Sequence, residues 1–137
     1  MERRTPIRVL LADDHALIRA ALRAVLEAEG GLQVVGETGD GLGAVRLATE
    51  QAPDVVVMDL RMPGVDGIEA TRQVVAAGAR VVVASAHADA RTVREALAAG
   101  AAGYILKDRA VEELAAAVRT VASGGVYVSP HITTAEP

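Results

Sequence analysis

The sequence has 137 residues, of which 51% are hydrophobic and 23% are charged, a balance typical of one soluble globular domain. Its 14 basic and 18 acidic residues give a net charge of −4 without a basic cluster, so we expect no nucleic-acid binding by this chain alone. Cysteine is absent, which excludes disulfides and thiolate metal ligands and is consistent with a reducing compartment. Two aspartates interrupt the first apolar run, so the sequence predicts neither a signal peptide nor a membrane span, and we expect a cytoplasmic protein.

Short β-branched runs alternate with longer helical patterns along the chain. The predicted elements are, in order, strand 7–12, helix 15–29, strand 32–38, helix 40–52, strand 54–59, helix 66–78, strand 80–85, helix 89–100, strand 102–107 and helix 109–125. The first helix is predicted to bury one face, formed by Leu17, Ala21, Leu22, Val25 and Leu26. Continuous apolar strands and short connections indicate an α/β fold, a doubly wound, five-stranded parallel sheet with five helices over its two faces.

Polar or charged residues end or directly follow four of the five predicted strands, namely Asp13 and Asp14, Asp59, Ser85 and Lys107. In doubly wound sheets, ligands bind outside the carboxyl ends of the strands. Adjacent parallel strands lie ~4.8 Å apart, so carboxylates at neighbouring strand ends repel each other unless a cation is present. Oxygen ligands favour a hard cation, and the sequence therefore predicts a site for Mg²⁺ or Mn²⁺.

The predicted metal ligands come from the first and third strand ends. Asp14, Asp59 and the backbone carbonyl of Arg61 supply them, with Asp13 acting directly or through water.

A carboxylate can also act as a nucleophile toward phosphorus and form an aspartyl phosphate. A metal ion, an ammonium group and a hydroxyl would stabilise the negative charge on the transferring group. Lys107 supplies the ammonium and Ser85 the hydroxyl, which makes Asp59 the predicted acceptor. Each of these residues also has a structural interpretation. Taken alone, Asp59 is expected to cap a turn. Lys107 is then expected to be a solvated surface residue, and Ser85 a small residue that ends a strand.

Over nearly its whole length, the chain resembles the receiver domain of two-component response regulators. The resemblance rests on LLADDHALIRAAL, VVVMDLRMPGVDGIEA, VVVAS and GYILKD, in that order and spacing. The segments LKD and SGGVYVSP are similar to the NarL/FixJ (LuxR-type) transcription factors. The resemblance implies a flavodoxin-like sheet of order 2-1-3-4-5 in three α/β/α layers. It also implies a receiver domain over residues 5–125, with 126–137 as a tail or the start of a linker to a helix-turn-helix effector domain absent from this chain.

The resemblance assigns a role to each matching site residue. It implies that Asp59 accepts a phosphoryl group from the phosphohistidine of a sensor histidine kinase. Asp13, Asp14 and Mg²⁺ would assist, and Lys107 would contact the phosphoryl group. Such a domain is a signalling phosphoacceptor and not an enzyme, with only self-phosphorylation from small donors and self-dephosphorylation expected.

Four further residues have roles in switching and in tuning the phosphoryl lifetime. Ser85 matches the hydroxyl residue that moves toward the phosphoryl group, and Tyr104 matches the aromatic residue that then rotates inward. We hypothesise that Arg61 and His87 flank the attacking water and set the phosphoryl lifetime. The implied partners are a sensor kinase, a second copy of the chain after phosphorylation, and DNA only through the absent effector domain, with no membrane contact.

Three alternatives remain open at this stage. A stand-alone phosphorelay receiver would use the same site without an effector domain. A flavodoxin-like nucleotide-binding protein would need a phosphate-cradling loop after the first strand, where the sequence has Asp13 and Asp14. A Mg²⁺-dependent phosphohydrolase would be expected to have a second Asp two residues after Asp59, where the sequence has Arg61.

Overall fold

The computed structural model describes residues 5–132. Its elements, in chain order, are β1 (Ile7–Ala12), α1 (Ala16–Glu27), β2 (Leu32–Thr38), α2 (Gly41–Gln51), β3 (Val55–Met58), α3 (Gly67–Ala76), β4 (Arg80–Ser85), α4 (Ala90–Ala98), β5 (Gly103–Leu106), a 3₁₀ turn (Lys107–Arg109), α5 (Ala110–Ala122) and β6 (Tyr127–Val128). The predicted sequence of elements is confirmed from β1 to α5. Within residues 5–132, no helix has the length and apolar character needed to cross a membrane. The predicted tail extends to residues 133–137, which lie outside the described part of the chain.

The strands form one parallel sheet in the order β2-β1-β3-β4-β5-β6. The predicted doubly wound α/β fold and the order of the first five strands are confirmed. The predicted number of strands is wrong, because the described residues include a sixth, two-residue strand. Tyr127 and Val128 pair with Gly103 and Tyr104 of β5. Two residues are too few to show any hydrophobic periodicity, which is why the sequence pattern ended at α5.

Helices cover both faces of the sheet, as predicted. Helices α1 and α5 pack on one face, and α2, α3 and α4 pack on the other. The predicted buried face of α1 is partly wrong: Leu22 and Leu26 are buried, but Leu17 is 85% exposed and Ala21 is also exposed. Ile18 packs against the core instead. The face turned toward the sheet is therefore formed by Ile18, Leu22, Val25 and Leu26, whereas Leu17 and Ala21, four residues apart, lie together on the exposed side of the helix.

Aspartates set the starts of three helices on the second face. The carboxylate of Asp40 accepts a hydrogen bond from the Gly43 N–H at 2.6 Å and so caps the start of α2. Asp66 and Asp89 cap α3 and α4 in the same way. These caps satisfy backbone N–H groups that have no partner within the helix, and they fix where each helix leaves its loop.

The segment after α5 is tied to the domain by a buried carboxylate. Glu113, in the first turn of α5, accepts hydrogen bonds from the hydroxyls of Tyr127 and Ser129, both at 2.9 Å. Ser129 is buried, and its N–H donates to the carbonyl of Tyr104 at 3.0 Å. Packing and hydrogen bonding therefore continue beyond residue 125, the end predicted for the domain.

Candidate functional site

Two buried aspartates lie side by side at the carboxyl ends of the central strands. Asp13 directly follows β1 and Asp59 directly follows β3, and their side chains are 2% and 4% exposed. The Asp59 N–H donates to the carbonyl of Ala12 at 2.9 Å, which extends the β1–β3 ladder by one residue. All four residues of β3 are buried, so the apolar strand holds the Asp59 carboxylate in place at the edge of the sheet.

Lys107 lies between these two carboxylates. Its Nζ is 2.7 Å from Asp13 Oδ2 and 3.1 Å from Asp59 Oδ2, and its side chain is 12% exposed. It is the only lysine in the sequence. Burial by itself lowers the pKa of the Lys107 ammonium, but the hydrogen bond to Asp13 and the charge of Asp59 outweigh burial and hold that pKa above its ordinary value. The ammonium therefore stays charged throughout the physiological range.

The other carboxylate oxygens are held by the backbone. His15 N–H donates to Asp13 Oδ1 at 2.8 Å, and Arg61 N–H donates to Asp59 Oδ1 at 3.2 Å. Asp13 Oδ2 and Asp59 Oδ2 are buried and, apart from the Lys107 ammonium, have no hydrogen-bond partner among the described residues. Each aspartate therefore has one oxygen fixed by the backbone and one oxygen directed into the site.

Asp14 and His15 extend the cluster toward solvent. Both are exposed, and His15 Nδ1 lies 3.1 Å from Asp14 Oδ1. One ligand atom from each of Asp13, Asp14, His15 and Asp59 lies within 4.8 Å of all the others. Three carboxylates face one ammonium, three negative charges against one positive, which leaves a net charge of −2. The oxygen-rich donors and the two buried carboxylate oxygens fit a hard divalent cation such as Mg²⁺.

The loop after β3 is held close to the site by two glycines. A Cβ on Gly67 would lie 2.4 Å from the Leu60 carbonyl oxygen, and a Cβ on Gly41 would lie 2.7 Å from that of Val65. These contacts allow the starts of α2 and α3 to approach the loop backbone. Arg61 is exposed, and its carbonyl remains a predicted metal ligand.

Ser85, His87 and Tyr104 form a hydrogen-bonded group next to the acidic site. Ser85 is buried at the end of β4, and its Oγ accepts a hydrogen bond from the His87 N–H at 3.1 Å. The Tyr104 ring is fully buried, and its hydroxyl donates to the His87 carbonyl at 2.7 Å. Burial raises the pKa of the Tyr104 hydroxyl, an effect that hydrogen bonding from Ser85 opposes. The ring therefore occupies the inward position, while the His87 side chain is exposed.

The fold brings most of the predicted site residues together. Asp13, Asp59 and Lys107 are in direct contact, and Asp14 lies at the edge of the same cluster. His15, the first residue of the predicted helix 15–29, also lies in this cluster but was not among the predicted site residues, although its position directly after two aspartates is a signal that could have indicated it.

A doubly wound sheet with an acidic, lysine-containing site at its carboxyl edge defines a signalling domain of the receiver class. Residues 9–119 match the family described as response regulator receiver domain, and the chain belongs to this family.

Relatives with sequence similarity are response regulators of the LuxR/NarL type. The chain is 41% identical over 128 residues to the response regulator UvrY of Escherichia coli (strain K12), covering 92% of this chain and 59% of that protein. It is 44% identical over 120 residues to the transcriptional regulatory protein LiaR of Bacillus subtilis (strain 168), covering 86% of this chain and 57% of that protein. The chain thus spans somewhat more than half the length of these relatives.

Solved structures of the same type share the fold. A LuxR-family two-component response regulator from Aurantimonas sp. SI85-9A1 superposes with a TM-score of 0.88 at 38% identity, covering 93% of each chain. The signal receiver domain of the putative response regulator NarL from Mycobacterium tuberculosis has a TM-score of 0.84 at 39% identity, covering 88% of this chain and 98% of that one.

Proposed function

We propose that this receiver domain accepts a phosphoryl group on Asp59 from the phosphohistidine of a sensor histidine kinase, in a reaction that requires Mg²⁺. The observation that supports this proposal most directly is the pair of buried carboxylates that share the ammonium of Lys107 at the carboxyl edge of the sheet. Membership of the receiver family supports the reaction class.

The residues that would hold the cation are the carboxylates of Asp13, Asp14 and Asp59, together with the backbone carbonyl of Arg61. Their net charge, after pairing with Lys107, matches a divalent ion. When bound, Mg²⁺ neutralises negative charge on the phosphoryl oxygens and on the carboxylates.

Phosphoryl transfer uses the carboxylate of Asp59 as the nucleophile. One Asp59 oxygen forms a bond to phosphorus as the bond between phosphorus and the donor histidine nitrogen breaks, and that nitrogen keeps the electron pair and takes up a proton. The Lys107 ammonium pairs with a phosphoryl oxygen, and the Ser85 hydroxyl donates a hydrogen bond to another. In self-dephosphorylation, water attacks phosphorus and the Asp59 carboxylate is regenerated, with the exposed side chains of Arg61 and His87 flanking that water.

Movement of Ser85 toward the phosphoryl group would reach Tyr104 through the backbone of His87. Ser85 Oγ accepts from the His87 N–H, and the Tyr104 hydroxyl donates to the carbonyl of the same residue. A displacement of the Ser85 hydroxyl removes one of these two anchors and shifts the balance between two positions of the loop after β4.

The output of the whole protein is proposed to be control of transcription. The relatives are longer than this chain and include a protein named as a transcriptional regulatory protein. We expect phosphorylation to promote homodimerisation and DNA contact to be made by an effector domain outside this chain. Sedimentation at tens of micromolar, with and without a phosphoryl mimic such as beryllofluoride, tests the dimer.

The central test is incubation with acetyl phosphate and Mg²⁺ followed by intact mass spectrometry. We expect the wild-type protein to gain one phosphoryl group and Asp59→Asn to gain none. Asp108→Asn is the matched control, since Asp108 is an exposed aspartate next to Lys107.

Phosphoryl transfer to Asp59→Asn at the wild-type rate would contradict the proposed acceptor, and labelling unaffected by a chelator would contradict the requirement for Mg²⁺. Unchanged hydrolysis rates in both Arg61→Ala and His87→Ala would remove these two residues from the account of the phosphoryl lifetime.

A further inference from the structure

The backbone carbonyl of Asp13 lies between β1 and α1, so its hydrogen bond does not belong to a helix or to a strand ladder. Asp13 follows β1, and α1 begins only at Ala16. The Asp13 N–H donates to the carbonyl of Thr38 at 3.0 Å. The Asp13 carbonyl accepts a hydrogen bond from Nη1 of Arg19, which lies in the first turn of α1, at 2.6 Å. The peptide groups on both sides of this metal-site residue are therefore held by specific partners.

Arg19 is itself held in place by an ion pair with Glu37. Its Nε donates to Glu37 Oε1 at 3.0 Å, and the other oxygen of Glu37 accepts from Arg23. Hydrogen bonding from Arg23 is the main reason that the pKa of the Glu37 carboxyl is lowered, with Arg19 contributing in the same direction. Glu37 lies near the end of β2. The contacts from Glu37 to Arg19 and from Arg19 to Asp13 therefore connect the end of β2 with the loop that follows β1.

We infer that Arg19 is a positioning residue for the acidic site. Its guanidinium fixes the orientation of the peptide between Asp13 and Asp14, and that orientation sets where both carboxylates point. Arg23 contacts the same glutamate, but within the described residues it has no contact with Asp13. The inference rests on the proposed function, because it concerns the affinity of that site for Mg²⁺.

The expected effect is on metal binding more than on folding. Groups that orient metal ligands typically affect affinity about 10- to 100-fold when they are removed, because the ligands then have to be ordered at the moment of binding. We expect Arg19→Gln to weaken Mg²⁺ binding by about tenfold or more. Arg23→Gln, the matched control, is expected to stay within about twofold of wild type, since many exposed ion pairs contribute little.

The experiment is titration calorimetry of MgCl₂ into wild type, Arg19→Gln, Arg19→Lys and Arg23→Gln, with urea unfolding of each protein measured in parallel. Arg19→Lys keeps the charge but lacks the planar fork that reaches Asp13 and Glu37 together, so its affinity is expected to lie between wild type and Arg19→Gln. This variant also provides a test if Arg19→Gln does not fold.

Equal Mg²⁺ affinities for wild type, Arg19→Gln and Arg19→Lys would overturn the inference. So would an equal loss in Arg19→Gln and Arg23→Gln that follows their unfolding free energies, because the effect would then be one of general stability. If the wild type bound no Mg²⁺ at all, the proposed function would fail and the inference with it, a result distinct from the first two.

Discussion

Replacing Lys107 by methionine tests whether the two buried aspartates depend on its ammonium. The substitution keeps the length and apolar stem of the side chain and removes the only positive charge within residues 5–132 that contacts Asp13 Oδ2 and Asp59 Oδ2. These oxygens have no other hydrogen-bond partner among the described residues. The variant therefore leaves two carboxylates facing each other in a buried site.

The expected loss in the free energy of unfolding follows from the burial of Lys107, Asp13 and Asp59. Removing one partner of a buried ion pair costs about 3–5 kcal/mol, because the remaining charge is left uncompensated. Lys107 is 12% exposed, and the Oδ1 atoms of both aspartates keep their backbone hydrogen bonds, so the lower end applies. We expect a loss of about 3 kcal/mol at pH 7, which corresponds to roughly 10 °C in Tm for a domain of this size.

The difference in stability between wild type and Lys107→Met should depend on pH and on Mg²⁺. The pKa of Lys107 is raised in the folded protein, so its contribution to stability is fully present below the ordinary lysine value of ~10.4 and is lost as the pH rises through the higher folded value. The advantage of wild type over Lys107→Met should therefore shrink at strongly alkaline pH. Added Mg²⁺ should reduce it at pH 7, because the cation replaces the missing charge.

The assay is urea unfolding followed by circular dichroism at several pH values, with and without MgCl₂. Arg109→Met is the control, because it removes a cation from the same 3₁₀ turn. Wild-type stability of Lys107→Met at pH 7 without Mg²⁺ would refute the reasoning, and so would an equal loss in Arg109→Met.

Two further predictions concern packing around the site. Glu113→Ala removes the acceptor of two hydroxyls and should release β6, raising amide exchange of Tyr127–Val128 at least tenfold in hydrogen-exchange mass spectrometry. The exposed Glu112→Ala should leave that exchange unchanged, and equal exchange in the two variants would show that the carboxylate does not hold the strand. Gly67→Ala places a Cβ within 2.4 Å of a backbone oxygen and should cost about 1–3 kcal/mol in urea unfolding. Gly30→Ala, with no atom within 4 Å of the added Cβ, should be nearly neutral, and a tolerated Gly67→Ala would mean that the loop after β3 can move away.

Much of the fold could be predicted because the sequence patterns that indicate each helix and strand lie within that element. Four of the first five strands are short, mostly apolar runs, and each helix has a start or stop residue, such as the cap at Asp40. The same locality explains the errors. The buried face of α1 was misjudged at Leu17 and Ala21 because the helical pattern does not show how the helix is rotated against the sheet, and β6 was missed because two residues carry no pattern.

The sequence by itself determined the α/β order and placed Asp13, Asp14, Asp59 and Lys107 at strand ends. Parallel strands bring such ends to one edge of the sheet, so the composition of the site followed from the pattern. Only the tertiary structure decided that Asp13 is buried against Lys107 while its neighbour Asp14 faces solvent, and that Arg19 holds the peptide between them. These contacts depend on the relative positions of separate elements, and no local spacing in the chain records those positions.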